Sequence, residues 1–502
     1  MKNKIILLLS LLLLAGTYSC KKDRLKEEAF DFITPDSFYK TEADANAGVS
    51  AIYNTLVNGW NLYGRNLWMM AEYPAESSDA NGSGDAFRKS FDTFSWDASG
   101  TGLELCWTGL YQGIFRANNF LAQVDSIKQI NADVKIRLKA ESKFLRAYYY
   151  FCLVRFWDHV PYLDEKNYKT ELNPTNVGTD DEVWNLMISD LQFAETNLPA
   201  SYDAKNIGRA TKGAAKGILA KVYLTLAGFP WNKPENWALA AAKAKEVIDN
   251  ASTYKYALET DFSRVFALDN EHGTEYMFSA EFASGMNLGN NLPAMTGIRN
   301  AHQTNLLGGW SSWVSTKQFF SSYDTTDKRR AKTFVLSYVD VVNKAVFKYP
   351  GNIGLPHFNK YIDPNEKAAF LDNPGDFGIN MYILRYADLL LVHSEAENEA
   401  NGPSALAVSG INQVRARAGL TAIDFTTVNQ AQLRAAIVQE RAWELAAEAQ
   451  VYFDYKRQHV LESRLALIGA DKLVQPKHYS FPIPQQEIDI SKGALVQEDV
   501  WK

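Results

Sequence analysis

The sequence predicts a mainly α-helical protein. Tetratricopeptide-like helix pairs form the scaffold, and long irregular loops with a few short strands form a ligand-binding face. Three observations predict this. Apolar residues recur at helical spacing, in pairs of segments, along most of the 502-residue chain. Two long stretches, 58–106 and 271–348, interrupt that pattern with Gly, Ser, Asp and Asn. The composition, 46% apolar and 22% charged, is that of a globular chain long enough to bury a large core without disulfide staples. A formal charge of −6 argues against a nucleic-acid or anionic-membrane footprint, which needs clustered Lys and Arg. No nucleic-acid partner is expected.

The first element is an address. Lys2 and Lys4 precede an apolar run, 5–14, that is too short to span a bilayer; small residues and Cys20 follow. Residues 1–19 resemble a bacterial lipoprotein signal, which implies that Cys20 becomes a lipidated N-terminus and that 20–35 is a tether. Loss of Lys2 and Lys4 leaves 50 basic against 58 acidic side chains, a net −8. No later segment reaches 18 uninterrupted apolar residues, so no transmembrane span is expected.

After a turn at Thr34-Pro35, the spacing predicts helices over 43–57, 110–127 and 134–157. The last carries Phe144, Leu145, Tyr148, Phe151, Cys152 and Val154 on a broad stripe. Thr179-Asp180-Asp181-Glu182 reads as a capping box opening a helix to about 197. Segments 211–227 and 234–250 form a pair broken by Gly228-Phe229-Pro230, and 379–400 and 404–418 another around Asn401-Gly402-Pro403. A late helix is expected over 430–458. Recurring pairs of this size suggest a helical-repeat scaffold. Tyr276-Met277-Phe278 is strand-like. The chain divides into an N-terminal helical region, 36–270, and a C-terminal region, 271–502.

Motifs for chemistry are sparse. There is no H-E-x-x-H, G-x-S-x-G or P-loop, and the seven His are scattered. His393, near Glu395, reads as a core or solvated His. Cys106 and Cys152 read as free buried thiols, although an exported protein could pair them. Asp79-Ala80-Asn81-Gly82-Ser83-Gly84 copies the opening of a calcium loop, but Ser90 stands where a bidentate Glu is needed, so an Asx/Gly-rich binding loop is expected and no metal or cofactor. The carboxylate pair of a glycosidase has no local signature.

Four motif groups carry a family resemblance. Phe144-Leu145-Arg146-Ala147-Tyr148 running on to Phe156-Trp157-Asp158-His159-Val160-Pro161 is the first. Leu384-Arg385-Tyr386-Ala387-Asp388-Leu389 with Ser394-Glu395-Ala396 is the second. Asn412-Gln413-Val414-Arg415-Ala416-Arg417-Ala418-Gly419-Leu420 is the third. Glu440-Arg441-Ala442-Trp443-Glu444-Leu445 with Phe453-Asp454, Arg457 and Pro482-Ile483-Pro484-Gln485 is the fourth. In this order they resemble the SusD/RagB family of outer-membrane nutrient-uptake lipoproteins. Asp158 departs from the Gly usual there, and Val451 from a common Arg. Arg146, Arg385, Arg415 and Arg441 are expected on apolar helices and read as scaffold, bridging helix ends through carboxylates. The resemblance implies a lipid-anchored protein on the outside of the outer membrane that captures an oligosaccharide, in some members a peptide. It would act as lid on a SusC-like TonB-dependent β-barrel transporter and perform no catalysis. A surface glycoside hydrolase is the rival class.

The aromatics suit sugar binding. Indoles and phenols cover the apolar C–H faces of a pyranose, while Asp, Asn and Arg bond its hydroxyl rim. Rings set among turn residues are available for such a surface. Trp68, Trp96, Trp310 and Trp313 are the expected stacking platforms, and Asp79, Asn81, Asn291 and Arg299 the expected hydrogen-bonding partners. The family's habit of placing ligand aromatics mid-chain favours Trp310 and Trp313. Trp107, Trp157, Trp184 and Trp443 lie on predicted helices and read as core.

Overall fold

The computed structural model describes residues 38–81, 85–171, 173–286, 288–299, 301, 309–340, 342–363, 375–469 and 474–502. The leader, Cys20, the tether, the Thr34-Pro35 turn and residues 82–84 lie outside these. Among the described residues no helix is long and apolar enough to cross a membrane.

Helix α1 (Glu42–Asn54) opens on a reciprocal cap: Asp44 N–H donates to Thr41 Oγ1, and Thr41 N–H donates to the Asp44 carboxylate. Two short helices follow, α2 (Asn66–Glu72) and α3 (Ala86–Asp92), in the stretch expected to be irregular. Then come α4 (Thr101–Gln123), α5 (Ala132–Trp157), α6 (Asp180–Asn197), α7 (Lys212–Ala227) and α8 (Asn236–Asp249). After a long excursion the stack resumes with α10 (Tyr386–Asn401), α11 (Ala405–Ala418), α12 (Gln430–Leu445) and α13 (Val451–Arg457); α9 (Leu292–Thr296) lies inside the excursion.

Packing follows chain order. Each helix from α4 to α8 packs on the next, α8 packs directly on α10, and α10 on α11 and α12. The excursion between α8 and α10 is therefore looped out of a continuous stack, the architecture of a helical-repeat scaffold. Its ends are tied by an antiparallel pair, β2 (Tyr276–Ala280) with β6 (Met381–Arg385). Helix α5 is buried on all sides from Phe144 to its end, enclosing Arg146 and Arg155 together with its apolar residues.

Several expectations need correction. The helix expected from 110 begins at Thr101. Residues 381–385 of the helix expected over 379–400 are strand β6. The helix expected over 430–458 breaks after Leu445, with Ala447 and Ala449 at positive φ. The cause is non-local. Lys360 and Arg385 donate to the Glu444 carbonyl at 2.9 and 2.7 Å, while Ala447 and Ala449 donate their N–H groups to the buried Glu72 carboxylate. Thr179 forms no side-chain cap; its hydroxyl donates to the Val160 carbonyl at 2.9 Å, so the capping box is not made. Cys106 and Cys152 are free and buried, and His393 is buried in the core.

The family-motif arginines are structural. Arg146 grips Asp190 at 2.7 Å and Glu165 at 2.5 Å. Arg441 joins Asp388 to Asp454 at 2.8 and 2.9 Å. Arg385, which ends β6 and does not lie on a helix, binds Glu275, Glu444 and Glu448 at 2.5–2.7 Å. Arg415 reaches Glu440 at 3.0 Å. These pairs are enclosed, where an unmatched charge would be costly.

Candidate functional site

The two irregular regions meet. Strand β1 (Ser78–Asp79) of the first pairs antiparallel with β3 (Val314–Ser315) of the second, Asp79 opposite Val314. The structure encloses three of the four expected stacking tryptophans, two of them at this junction. Trp68 and Trp313 are 0% exposed and stack on each other at 4.5 Å. Trp313 Nε1–H donates to Ser78 Oγ at 3.0 Å, and Tyr73 O–H to the Ser312 carbonyl at 3.1 Å. These indoles staple the two excursions together, and neither has a free face for a sugar. Trp96 is likewise buried, stacked on Phe481 at 4.8 Å. Asn291 is buried at the start of α9. The loop tryptophans pin their loops to the core because exposing a whole indole forfeits several kcal/mol of burial, of order 2–3.

Trp310, Asn81, Asp79 and Arg299 are different. The structure brings them together on one short stretch beside β1 and β3, with Trp310, Asp79 and Asn81 half-buried and Arg299 exposed. Trp310 N–H donates to the Ala294 carbonyl at 2.6 Å. The Arg299 guanidinium folds back onto the Trp310 carbonyl, with Nη2 at 2.8 Å and Nε at 3.2 Å. Asn81 Nδ2 donates to the Ser311 carbonyl at 3.2 Å. Ser311 itself has φ 49°, a left-handed turn that aims Trp310 away from its buried neighbour Trp313.

The turn is braced from behind. Ser311 Oγ accepts from Arg299 N–H at 2.7 Å and lies 3.0 Å from His357 Nε2. His357 Nδ1 lies 2.9 Å from the Leu355 carbonyl, which fixes the tautomer: Nδ1–H donates to the carbonyl, and Nε2 accepts from the serine hydroxyl. Burial pushes the His357 pKa down to about 4, so the imidazole is neutral at physiological pH.

A second small core, built from Ala294, Val335, Ile353, Ile362 and Phe377, supports this turn. Around its edge pack Trp310, Ile298, Tyr349 and the hairpin of β4 (Ser337–Val339) with β5 (Val346–Lys348). Tyr338 and Phe347 face each other across that hairpin at 4.8 Å and 3°. The result is a rim of half-buried aromatic rings. Sequence reasoning missed Tyr338 and Phe347; the signal was their alternation with Ser337, Val339, Val346 and Lys348. It also passed over Trp60, which is 60% exposed with the Arg65 guanidinium 4.9 Å from its ring. Arg65 binds Asp85, Asp85 lies 3.3 Å from Arg88, and Arg88 donates to Met295 Sδ on α9 at 3.5 Å. A chain of contacts thus joins Trp60 to the loop that carries Trp310. Of the calcium-like run, Asp79 lies in β1 and Asn81 bonds the Ser311 carbonyl, while 82–84 lie outside the described residues; among the described residues no His, Cys, Asp and Glu cluster could hold a metal ion.

Comparison with known proteins matches two family models. One, described as the SusD family, covers residues 338–501. The other, described as starch-binding associating with outer membrane, covers 32–224. A SusD-like protein of Formosa agariphila is 27% identical over 96% of this chain and 96% of its own length, and a second from the same organism 29% identical over 97% of each. Among solved structures, a SusD homolog from Bacteroides thetaiotaomicron superposes with TM-score 0.80 at 23% identity, covering 92% of this chain and 98% of its own. A structure described as a laminarin binding SusD-like protein superposes at 0.76 with 26% identity, over 92% of this chain and 100% of its own.

Proposed function

Since the chain belongs to the SusD/RagB family, we propose that it is a non-catalytic glycan-binding protein of the cell surface, held to the outer membrane by a lipid on Cys20. It captures an oligosaccharide on the Trp310 face and passes it to a SusC-like TonB-dependent barrel, over which it acts as lid. The observation that carries this reading is the rim of half-buried rings around the second core: Trp310, next to the turn that Ser311 and His357 lock, and Tyr338 and Phe347 on the β4–β5 hairpin. Half-buried rings keep one face for a ligand and lose little freedom on binding, because their other face is already packed. Asn81 and Arg299 lie beside Trp310, and Asp79 opposite Val314, to bond sugar hydroxyls. The laminarin-binding relative and the starch-binding family description support a glucan among the candidate ligands.

The test is a binding panel on the mature chain: laminarin and starch oligosaccharides against peptides of similar length, by calorimetry. A dissociation constant between about 1 μM and 1 mM, worth about −8 to −4 kcal/mol, is expected for a glycan. Binding of peptides alone would replace the glycan reading with peptide capture. Release of shorter sugars during the titration would contradict the non-catalytic assignment.

A further inference from the structure

A cavity of about 480 Å³ opens on a flank of α4 that the sugar-binding reading does not use, between α4, the segment 161–174 and the C-terminal stretch from α14 (Gln485–Ile490) to Leu495. Its volume suits a bound side chain or small ligand. Trp107 and Tyr111 line it from α4, with Pro161 and Leu495 opposite. Phe115 and Ile490 also line it, 51% and 61% exposed. Close by, Val177 and Val496 are also exposed, held side by side because the Asn176 amide bonds both the N–H and the carbonyl of Val496 at 2.9 Å. Isolated exposed apolar residues are ordinary, but a cluster around a cleft marks an interaction surface.

One edge of this cleft is acidic. Glu487 lines it, and Glu104 lies near enough that its charge, together with burial, raises the Glu487 carboxyl above the ordinary range. Thr108, one turn along α4 from Glu104, hydrogen-bonds Glu487. Neither carboxylate has an ion-pair partner among the described residues, whereas Glu141, Glu275, Glu395 and Glu444 are each matched by arginine. Two unmatched carboxylates beside exposed apolar side chains ask for a cation attached to an apolar body.

We propose that this cleft is a docking site for an extended segment of a partner protein, which sets an apolar side chain against Tyr111 and Phe115 and an adjacent lysine or arginine against Glu487 and Glu104. A neutral glycan supplies no cation, and its hydroxyls gain nothing from Ile490, Val177 and Val496. A second copy of this chain would oppose acid edge to acid edge in a two-fold contact. The proposal is independent of the sugar-binding reading.

The experiment uses the mature chain and a capped peptide, acetyl-Gly-Leu-Lys-Pro-Gly-amide, whose leucine is photoactivatable, with a second peptide carrying Glu in place of Lys. After irradiation, mass spectrometry maps the labelled residues. Labelling on α4 and α14 is expected with the Lys peptide, at least five-fold less with the Glu peptide. A similar loss is expected in the Glu104→Gln/Glu487→Gln variant and in the Phe115→Ser/Ile490→Ser variant, both changed at solvent-accessible positions and with melting temperature unchanged. Equal labelling by both peptides, labelling elsewhere, no labelling, or labelling that survives both variants would overturn the proposal. So would a dimer in sedimentation that Phe115→Ser dissolves, which would assign the cleft to a second copy.

Discussion

Asp158 adopts φ 55° and ψ −75° at the end of α5, close to the rare and strained classic γ-turn, which glycine enters more easily than any other residue. Its carboxylate binds the buried Lys456 at 2.6 Å. Asp158→Gly would relieve about 1–3 kcal/mol of backbone strain but leave Lys456 enclosed with the Arg155 carbonyl and no counter-charge, which costs about 3–5 kcal/mol. The net expectation is a destabilised variant, largely restored when Lys456→Met is added; denaturant unfolding of the four members of the cycle checks it. Beside the proposed ligand face, Ser311→Ala removes the hydroxyl that ties His357 to the Trp310 turn. Oligosaccharide affinity is expected to fall several-fold with less than about 1.5 kcal/mol lost from stability, because a single neutral hydrogen bond contributes about that much. Calorimetry and thermal unfolding on the same sample separate the two effects. At this scale the sequence was legible in its arginines, since an Arg in an apolar segment must find a carboxylate. It was misleading in its tryptophans. Trp68, Trp313 and Trp310 sit in the same turn-rich surroundings, and only the partner indole across β1 and β3 decides which are enclosed.

Between elements, the close approach of α11 to α10 depends on Gly410. A Cβ there would lie 2.1 Å from the Leu390 carbonyl oxygen and 2.8 Å from Ser394 Oγ, which accepts the Ile411 N–H. Alanine favours a helix over glycine by about 1 kcal/mol, but pushing two packed helices apart costs about 1–3 kcal/mol, and a backbone oxygen cannot swing away. Gly410→Ala is therefore expected to lower stability, with a fall in melting temperature as the check. Helix existence was legible from spacing along most of the stack. The errors fall where distant groups act: Lys360, Arg385 and Glu72 stop α12, and the β2 partner turns 381–385 into strand. Helices α2 and α3 were hidden by the Gly- and Asp-rich composition of their surroundings.

For the whole molecule, the buried acids set the response to pH. Glu72 is fully enclosed, and burial pushes its pKa up to about 8 even though it accepts two backbone N–H bonds. The folded chain thus holds a proton that the unfolded chain, with an ordinary carboxyl near 4.5, gives up. Its contribution to stability is complete below the unfolded value and is lost as pH rises towards about 8, with a slope approaching ~1.4 kcal/mol per pH unit. Buried His357 and His478, both held down to about 4, act in the opposite sense as pH falls through their ordinary range. Glu72→Gln leaves those histidines in place. The difference between wild-type and variant unfolding free energies, measured from pH 5 to 8, is expected to move steadily in favour of the variant as pH rises. Removal of a central cation has a larger effect: Arg385→Met leaves Glu275, Glu444 and Glu448 short of a buried partner and is expected to cost about 3–5 kcal/mol.

On the proposed function, capture rests on the half-buried rings, and on the indole at Trp310 above all. The direct measurement is calorimetric titration of wild type, Trp310→Ala and Trp68→Phe with a laminarin or starch oligosaccharide that the wild type binds. Loss of a sugar-stacking indole is expected to weaken Trp310→Ala at least ten-fold, about 1.4 kcal/mol, in a variant that stays folded and melts lower only by the packing of one ring face on the second core. Trp68→Phe, altered inside the staple, should bind like wild type once folded while melting at a lower temperature. Equal affinity of Trp310→Ala and wild type would contradict the account.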